Sequence, residues 1–195
     1  MNNTTLKFPL SAAILAILWA VFIPIPAFGQ TVIIREPDKE AGENNKTGAA
    51  SESKTEEAPE NPEFLKMERE AFDYLNSHRI KSKQKPLIWN DDLAKLARKH
   101  SKAMATKSFF SINGPNGETI EEQVKEFGIT KWINLGRMIA ANAGKEKPVE
   151  TAIDLWISSK ERRQYLFDNP WSETGVGIYI GDDGMFYLTQ DFMTK

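Results

Sequence analysis

From Arg35 to Pro62 the chain carries no aromatic residue and no aliphatic side chain larger than alanine. Such a run cannot bury enough apolar surface to offset the entropy of ordering it. Any packed core is therefore confined to the 133 residues from Glu63 to Lys195. A domain of that length buries roughly two thirds of its unfolded surface, enough to fold by itself. Charge divides at the same place. Residues 31–62 hold eight acids and four bases, whereas 63–195 hold nineteen acids and twenty bases. The acidity belongs to the spacer, and the near-neutral domain offers no strong field to attract nucleic acid. Residues 30–62 read as a disordered acidic linker, a solvated coil spanning about 30 Å root-mean-square.

Upstream, residues 12–23 form an unbroken apolar run of twelve. Lys7 precedes it, Pro24 and Pro26 end it, and Ala27-Phe28-Gly29 offers the small residues that a signal peptidase reads. Residues 1–29 thus read as a secretory signal peptide cut before Gln30. Twelve residues fall short of the roughly 20 that cross a bilayer. Phe8 to Gly29 counts 22, however, so an uncleaved N-terminal anchor stays open as the alternative. In that case this segment is the only membrane contact expected. On either account the domain is exported, to the periplasm or the cell exterior. The absence of cysteine excludes disulfides, thiolate metal sites, a cysteine nucleophile and a cysteine-linked lipid anchor.

Within 63–195 the first half reads as helix. Phe64, Leu65, Glu68, Ala71, Phe72, Leu75 and Arg79 recur at helical spacing. Asn90 is placed to cap a second helix, with Asp91 and Asp92 in its first turn and Leu93, Leu96, Ala97, His100 and Met104 on one face. Thr119-x-x-Glu122 is a capping box opening a third helix that stops at Gly128. A fourth runs from about Val149 to Ser158, with Ala152, Leu155 and Trp156 inward. Gly175–Ile180, a Gly181-Asp182-Asp183-Gly184 turn and Met185–Leu188 then read as a hairpin. Helices followed by a hairpin predict an α+β fold with a small antiparallel sheet covered by helices.

Familiar catalytic patterns are missing. No Gly-rich phosphate loop, His-Glu-x-x-His, Gly-x-Ser-x-Gly or calcium loop occurs. His78 and His100 fall on separate helices without metal-ligand spacing and read as half-buried helix residues. Asp91-Asp92 and Asp182-Asp183 lie at a helix start and a turn, which are structural places for acids.

Seven short motifs nevertheless occur in a telling order. They are Asn76-x-x-Arg79; Lys85-Pro86-Leu87-Ile88-Trp89; Leu93-x-x-x-Ala97-x-x-His100-Ser101-x-x-Met104; Phe110 to Gly117; Gly136-Arg137-Met138-Ile139-Ala140; Trp156-x-x-Ser159-x-x-Arg162-Arg163-x-x-Leu166; and Gly175-Val176-Gly177 with Tyr187-x-x-Gln190-x-Phe192. Over residues 64–193 this pattern resembles the CAP superfamily (the SCP/TAPS domain) in its short bacterial form. The resemblance implies an α-β-α sandwich. It also implies a central cleft whose histidines and glutamates hold a divalent metal in many members.

The departures from that pattern fall on the cleft. Ile112 stands where the family loop has histidine, Arg137 where it has glutamate, Met138 where it has asparagine, and Arg162 where it has histidine. Ser159 is a candidate for the position of a further glutamate. An alternative alignment of Asn134 with the family asparagine puts Ile133 at the glutamate position, which also removes the carboxylate. Isoleucine has no donor lone pair, and arginine neither ligates a metal nor acts as a base. The resemblance therefore implies a lost metal site, no cofactor, no catalytic residue and a non-catalytic binding or interaction module.

Two readings of the altered cleft compete. In one, Arg137 and Arg162 converge on an anion with help from Asn113 and Ser159. In the other, the arginines pair with neighbours such as Asp154 or Glu161, or face solvent. Trp132 and Trp171 fall in loops, where they serve either the core or a groove for an apolar or glycan ligand. Rival functions are a hydrolase drawing its base from Glu161, Asp154 or His100, and a lipid- or sterol-binding module with an apolar groove. A small anion, lipid, glycan or protein is the kind of partner expected; nucleic acid is not.

Overall fold

A computed structural model describes residues 30–35 and 61–195. The signal peptide expected over 1–29 and the linker stretch 36–60 lie outside the described residues. In chain order the elements are β1 (Gln30–Arg35), α1 (Pro62–Lys81), β2 (Ile88–Trp89), α2 (Asp91–Thr106), α3 (Ile120–Glu126), β3 (Asn134–Asn142), α4 (Pro148–Ser158), α5 (Lys160–Asp168), β4 (Glu173–Ile180) and β5 (Phe186–Thr194). The strands make one sheet in the order β1-β3-β5-β4-β2. All neighbours are antiparallel except β2 and β4, so the sheet is mixed rather than purely antiparallel. Helices cover both faces, and the α-β-α sandwich holds.

The linker expectation needs one correction. Gln30–Arg35 does not start a coil but pairs in full register with β3, Val32 opposite Arg137. Thr-Val-Ile-Ile is rich in β-branched residues, and the β3 edge presents unpaired backbone groups for such a strand.

Alternation along β3 assigns the two faces. Leu135, Ile139 and Ala141 pack toward α2 and α3, with Leu93, Leu96, Met104, Ile120 and Val124. Met138 and Ala140 face the larger cluster built from α1, α4 and α5, including Leu75, Ile153, Trp156 and Leu166. Asn90 and the Thr119–Glu122 box cap α2 and α3 as expected, and Gly128 takes φ +74° just past α3. Within α4, Ile153 is fully buried while Leu155 is half-buried, so the inward stripe is rotated from the one expected.

The family-like motifs have plain structural jobs. Asn76 Nδ2 donates to Leu87 O at 3.1 Å, and Leu87 N donates to Asn76 Oδ1 at 2.8 Å. Arg79 Nε donates to Lys85 O at 3.0 Å, and its Nη1 donates to Leu166 O. Asn76-x-x-Arg79 thus ties α1 to the segment entering β2. Gly175 and Gly177 let α2 lie directly on β4. A Cβ on Gly177 would sit 2.0 Å from Arg98 N, and one on Gly175 would sit 2.1 Å from Ala94 N. On the opposite face, a Cβ on Gly136 would meet the Tyr165 hydroxyl at 1.8 Å.

Candidate binding cleft

The site grows from one cross-strand pair. Arg137 on β3 lies directly opposite Asp191 on β5. Both side chains point toward α2 and α3, and both are buried, at 1% and 0% exposure. Arg137 Nε donates to Asp191 Oδ1 at 2.6 Å and Nη2 to Oδ2 at 2.8 Å, a bidentate fork. Nη1 faces Ile112 O at 3.1 Å, Gln123 Oε1 at 2.9 Å and His100 Nδ1 at 3.0 Å. Each of four elements or loops thus supplies an acceptor to one guanidinium: β5, α2, α3 and the loop through Ile112.

His100 is fixed by the same geometry. A guanidinium only donates, so Nδ1 must accept, and the proton resides on Nε2. Nε2 then donates to Ser111 O at 2.8 Å. Burial first, and the Arg137 charge second, lower the His100 pKa from 6.5 to about 3. It is a neutral imidazole closed on both nitrogens. Burial raises the Asp191 carboxyl above its usual value, and the guanidinium opposes that rise. From the other face, the Tyr165 hydroxyl bonds the Arg137 backbone; burial, then the Asp191 charge, lift its pKa well above 10.0.

The candidate residues named from sequence fare differently. Arg137 is closed off: an anion reaching it would have to displace Asp191. Its partner is Asp191, neither Asp154 nor Glu161. Asp154 instead accepts from the Tyr74 hydroxyl at 3.0 Å, and Glu161 accepts from Ser159 Oγ at 2.9 Å. Ile112 meets Arg137 through its backbone carbonyl, so these two residues lie side by side. Asn113 is half-buried in the loop beyond, its N–H on Ser111 Oγ at 3.1 Å. Ser159 is the N-cap of α5, accepting from Arg162 N. Arg162 is half-buried at the α4–α5 junction, where Nη2 donates to Leu155 O at 3.3 Å. Trp171 belongs to the core: it is 4% exposed and packs on Tyr165 and Phe192. Trp132 is half-buried against the α2–α3 cluster.

Sequence reasoning did not foresee Asp191 or Gln123. The signal for Asp191 was present: an acid between Gln190 and Phe192, in a strand otherwise made to be buried, demands a cationic partner. Gln123 carried none, being one of several polar residues on a short helix. Neither of the two described concavities is lined by Glu161, Asp154 or His100; one lies between α1 and α5, the other beside the β4–β5 turn. Among the described residues no three His, Asp or Glu side chains gather to hold a metal ion.

Comparison with known proteins places these features. The family model described as "CAP: Cysteine-rich secretory protein family" matches residues 72–192. The uncharacterized protein YkwD of Bacillus subtilis is 28% identical over 128 residues, 66% of this chain and 47% of that protein. The uncharacterized membrane protein YlbC of the same bacterium is 27% identical over 128 residues, covering 34% of its length. The chain therefore spans less than half of either relative. Among solved structures, an extracellular SCP-domain protein from Bacillus anthracis superposes with TM-score 0.60 at 24% identity, covering 71% of this chain and 45% of that one. An outer surface protein from Borrelia burgdorferi gives 0.57 at 13% identity over 67% of this chain and 93% of its own. The match spans most of the domain from α1 to β5, and the chain belongs to the CAP (cysteine-rich secretory protein) family, in a cysteine-free bacterial form.

Proposed function

We propose that this protein is an exported, non-catalytic CAP-domain module that binds a partner at the bacterial envelope or outside the cell. One observation carries the reading. Arg137, at the position where the family resemblance expects a glutamate, has its guanidinium engaged by Asp191, Gln123, Ile112 and His100. A cation replaces a carboxylate there, and the adjacent imidazole has both nitrogens occupied, so neither metal ligation nor proton abstraction has a free group. Export is supported by the apolar leader followed by small residues, and by the extracellular description of the B. anthracis neighbour. Of the residues first weighed for an anion, Asn113 is half-buried in the loop beyond Ile112, and Ser159 and Arg162 are half-buried at the α4–α5 junction.

Zinc titrated calorimetrically into the purified chain tests this reading. No saturable heat is expected. Stoichiometric zinc that vanishes in His100→Ala would overturn it, because the imidazole would then be a ligand rather than a neutral acceptor for Arg137.

A further inference from the structure

The turn joining α1 to β2 is built as a rigid, cationic platform. Ser82 N bonds His78 O and Arg79 O at 3.0 Å, Lys83 N bonds Ile80 O at 2.9 Å, and Gln84 N bonds Arg79 O at 2.9 Å. The Asn76–Leu87 pair and the Arg79–Lys85 bond hold the far side. Upon this frame Lys81, Lys83 and Lys85 are exposed. Lys83 sits at φ +61°, the left-handed position past a helix end where glycine is unstrained. Next to the turn, α5 presents exposed Lys160 and Arg163, which with Ser82, Gln84 and Asp168 help line a concavity of about 190 Å³. Among the described residues none of these five cations is in an ion pair.

Apolar side chains flank the same lysines. Ile80 is 59% exposed and Ile88 66%, two of the three large hydrophobics left exposed among the described residues. A soluble anion has no use for them. A bilayer interface takes both kinds of group, cations among the headgroups and isoleucines at the acyl boundary. We infer that the Lys81–Ile88 turn, with Lys160 and Arg163 of α5, is a docking surface for an anionic lipid bilayer. This contact is separate from any made by the N-terminal segment, to which the sequence alone confined membrane contact. It deepens the proposed function in that it rests on export, yet its test is independent of the cleft.

The test is hydrogen exchange of the full chain with vesicles of phosphatidylglycerol and phosphatidylcholine, against vesicles of phosphatidylcholine alone. The local readout separates this surface from any insertion of the N-terminus. Slowed exchange over 81–88 is expected on the anionic vesicles only, and it should vanish in about 0.5 M salt, where screening falls to roughly 4 Å. Lys83→Gly removes one charge while relieving the left-handed strain, so weakened docking cannot be blamed on unfolding. It should weaken docking about five-fold without lowering Tm. Ile80→Ser with Ile88→Ser should weaken it further. Equal protection on both vesicle types, or none on either, overturns the inference. Protection by soluble polyphosphate with none by vesicles also overturns it, reassigning the surface to a dissolved polyanion.

Discussion

Arg137 and Asp191 are worth most to each other. Alone in the interior, either charge would be expensive, because burying an uncompensated ion costs several kcal/mol even after relaxation. Together they satisfy one another through two short hydrogen bonds, and Gln123, Ile112 and His100 take up the remaining guanidinium edge. Arg137→Ala should thus destabilise the fold by about 3–5 kcal/mol. Asp191→Leu should cost a similar amount, since it strands the guanidinium. Arg137→Met with Asp191→Leu should cost far less than the sum of the single changes. Urea denaturation across the cycle measures the coupling, and strictly additive losses would show that the pair is not a unit. Sequence alone named Arg137 but not its use. Its partner lies 54 residues away, and only strand register brings the two together.

Elements announced by local chemistry were readable, and elements defined by distant partners were not. The Asn90 cap, the Thr119–Glu122 box and the hairpin turn each carry their signal within a few residues. β3 carries none: its residues 135–141 are buried on both faces, so the strand alternation disappears. β2 has two residues and exists through its pairing with β4, with Asn76 holding Leu87 at its entry. α5 follows α4 after the single residue Ser159, which caps it; its charged start, Lys160 to Arg163, reads as a surface helix, but nothing in it marks the break from α4. The two glycines of Gly175-Val176-Gly177 were legible as a motif, and the structure supplies the reason. Gly177→Ala drives a Cβ to 2.0 Å from Arg98 N and 2.1 Å from Ala97 C, main-chain atoms of α2 that cannot step aside. About 3 kcal/mol or more of lost stability is expected. Gly184→Ala is the control, with φ +74° but open space around the added methyl, and should cost about 1 kcal/mol. Equal losses in thermal or chemical denaturation would mean that α2 is not seated on β4 as closely as described.

Across the whole molecule, the largest hydrophobic cluster lies on the α1/α4/α5 face and the Arg137–Asp191 pair with His100 on the α2/α3 face, while the buried Glu68 and Arg79 belong to α1. Acid acts on the second face through His100. His100 is neutral in the fold, with a pKa of about 3 against 6.5 when exposed. Between those values the unfolded chain takes up a proton that the native chain refuses. Stability contributed by the neutral imidazole is thus complete above about pH 6.5 and is lost as pH falls toward 3, by about 1.4 kcal/mol per pH unit. Asp191, with its carboxyl raised, works in the opposite direction near its own titration, so the raw profile mixes the two. His100→Asn separates them. Its amide oxygen can still accept from Arg137, it leaves Asp191 unchanged, and it has no proton to gain. Urea midpoints of both proteins from about pH 7 to pH 4 should show the parent protein losing ground to the variant at that slope. Parallel curves would mean that the imidazole takes up its proton as readily in the fold as in the unfolded chain. Arg137 would then face a cation, and the account of the closed cleft would fail with it.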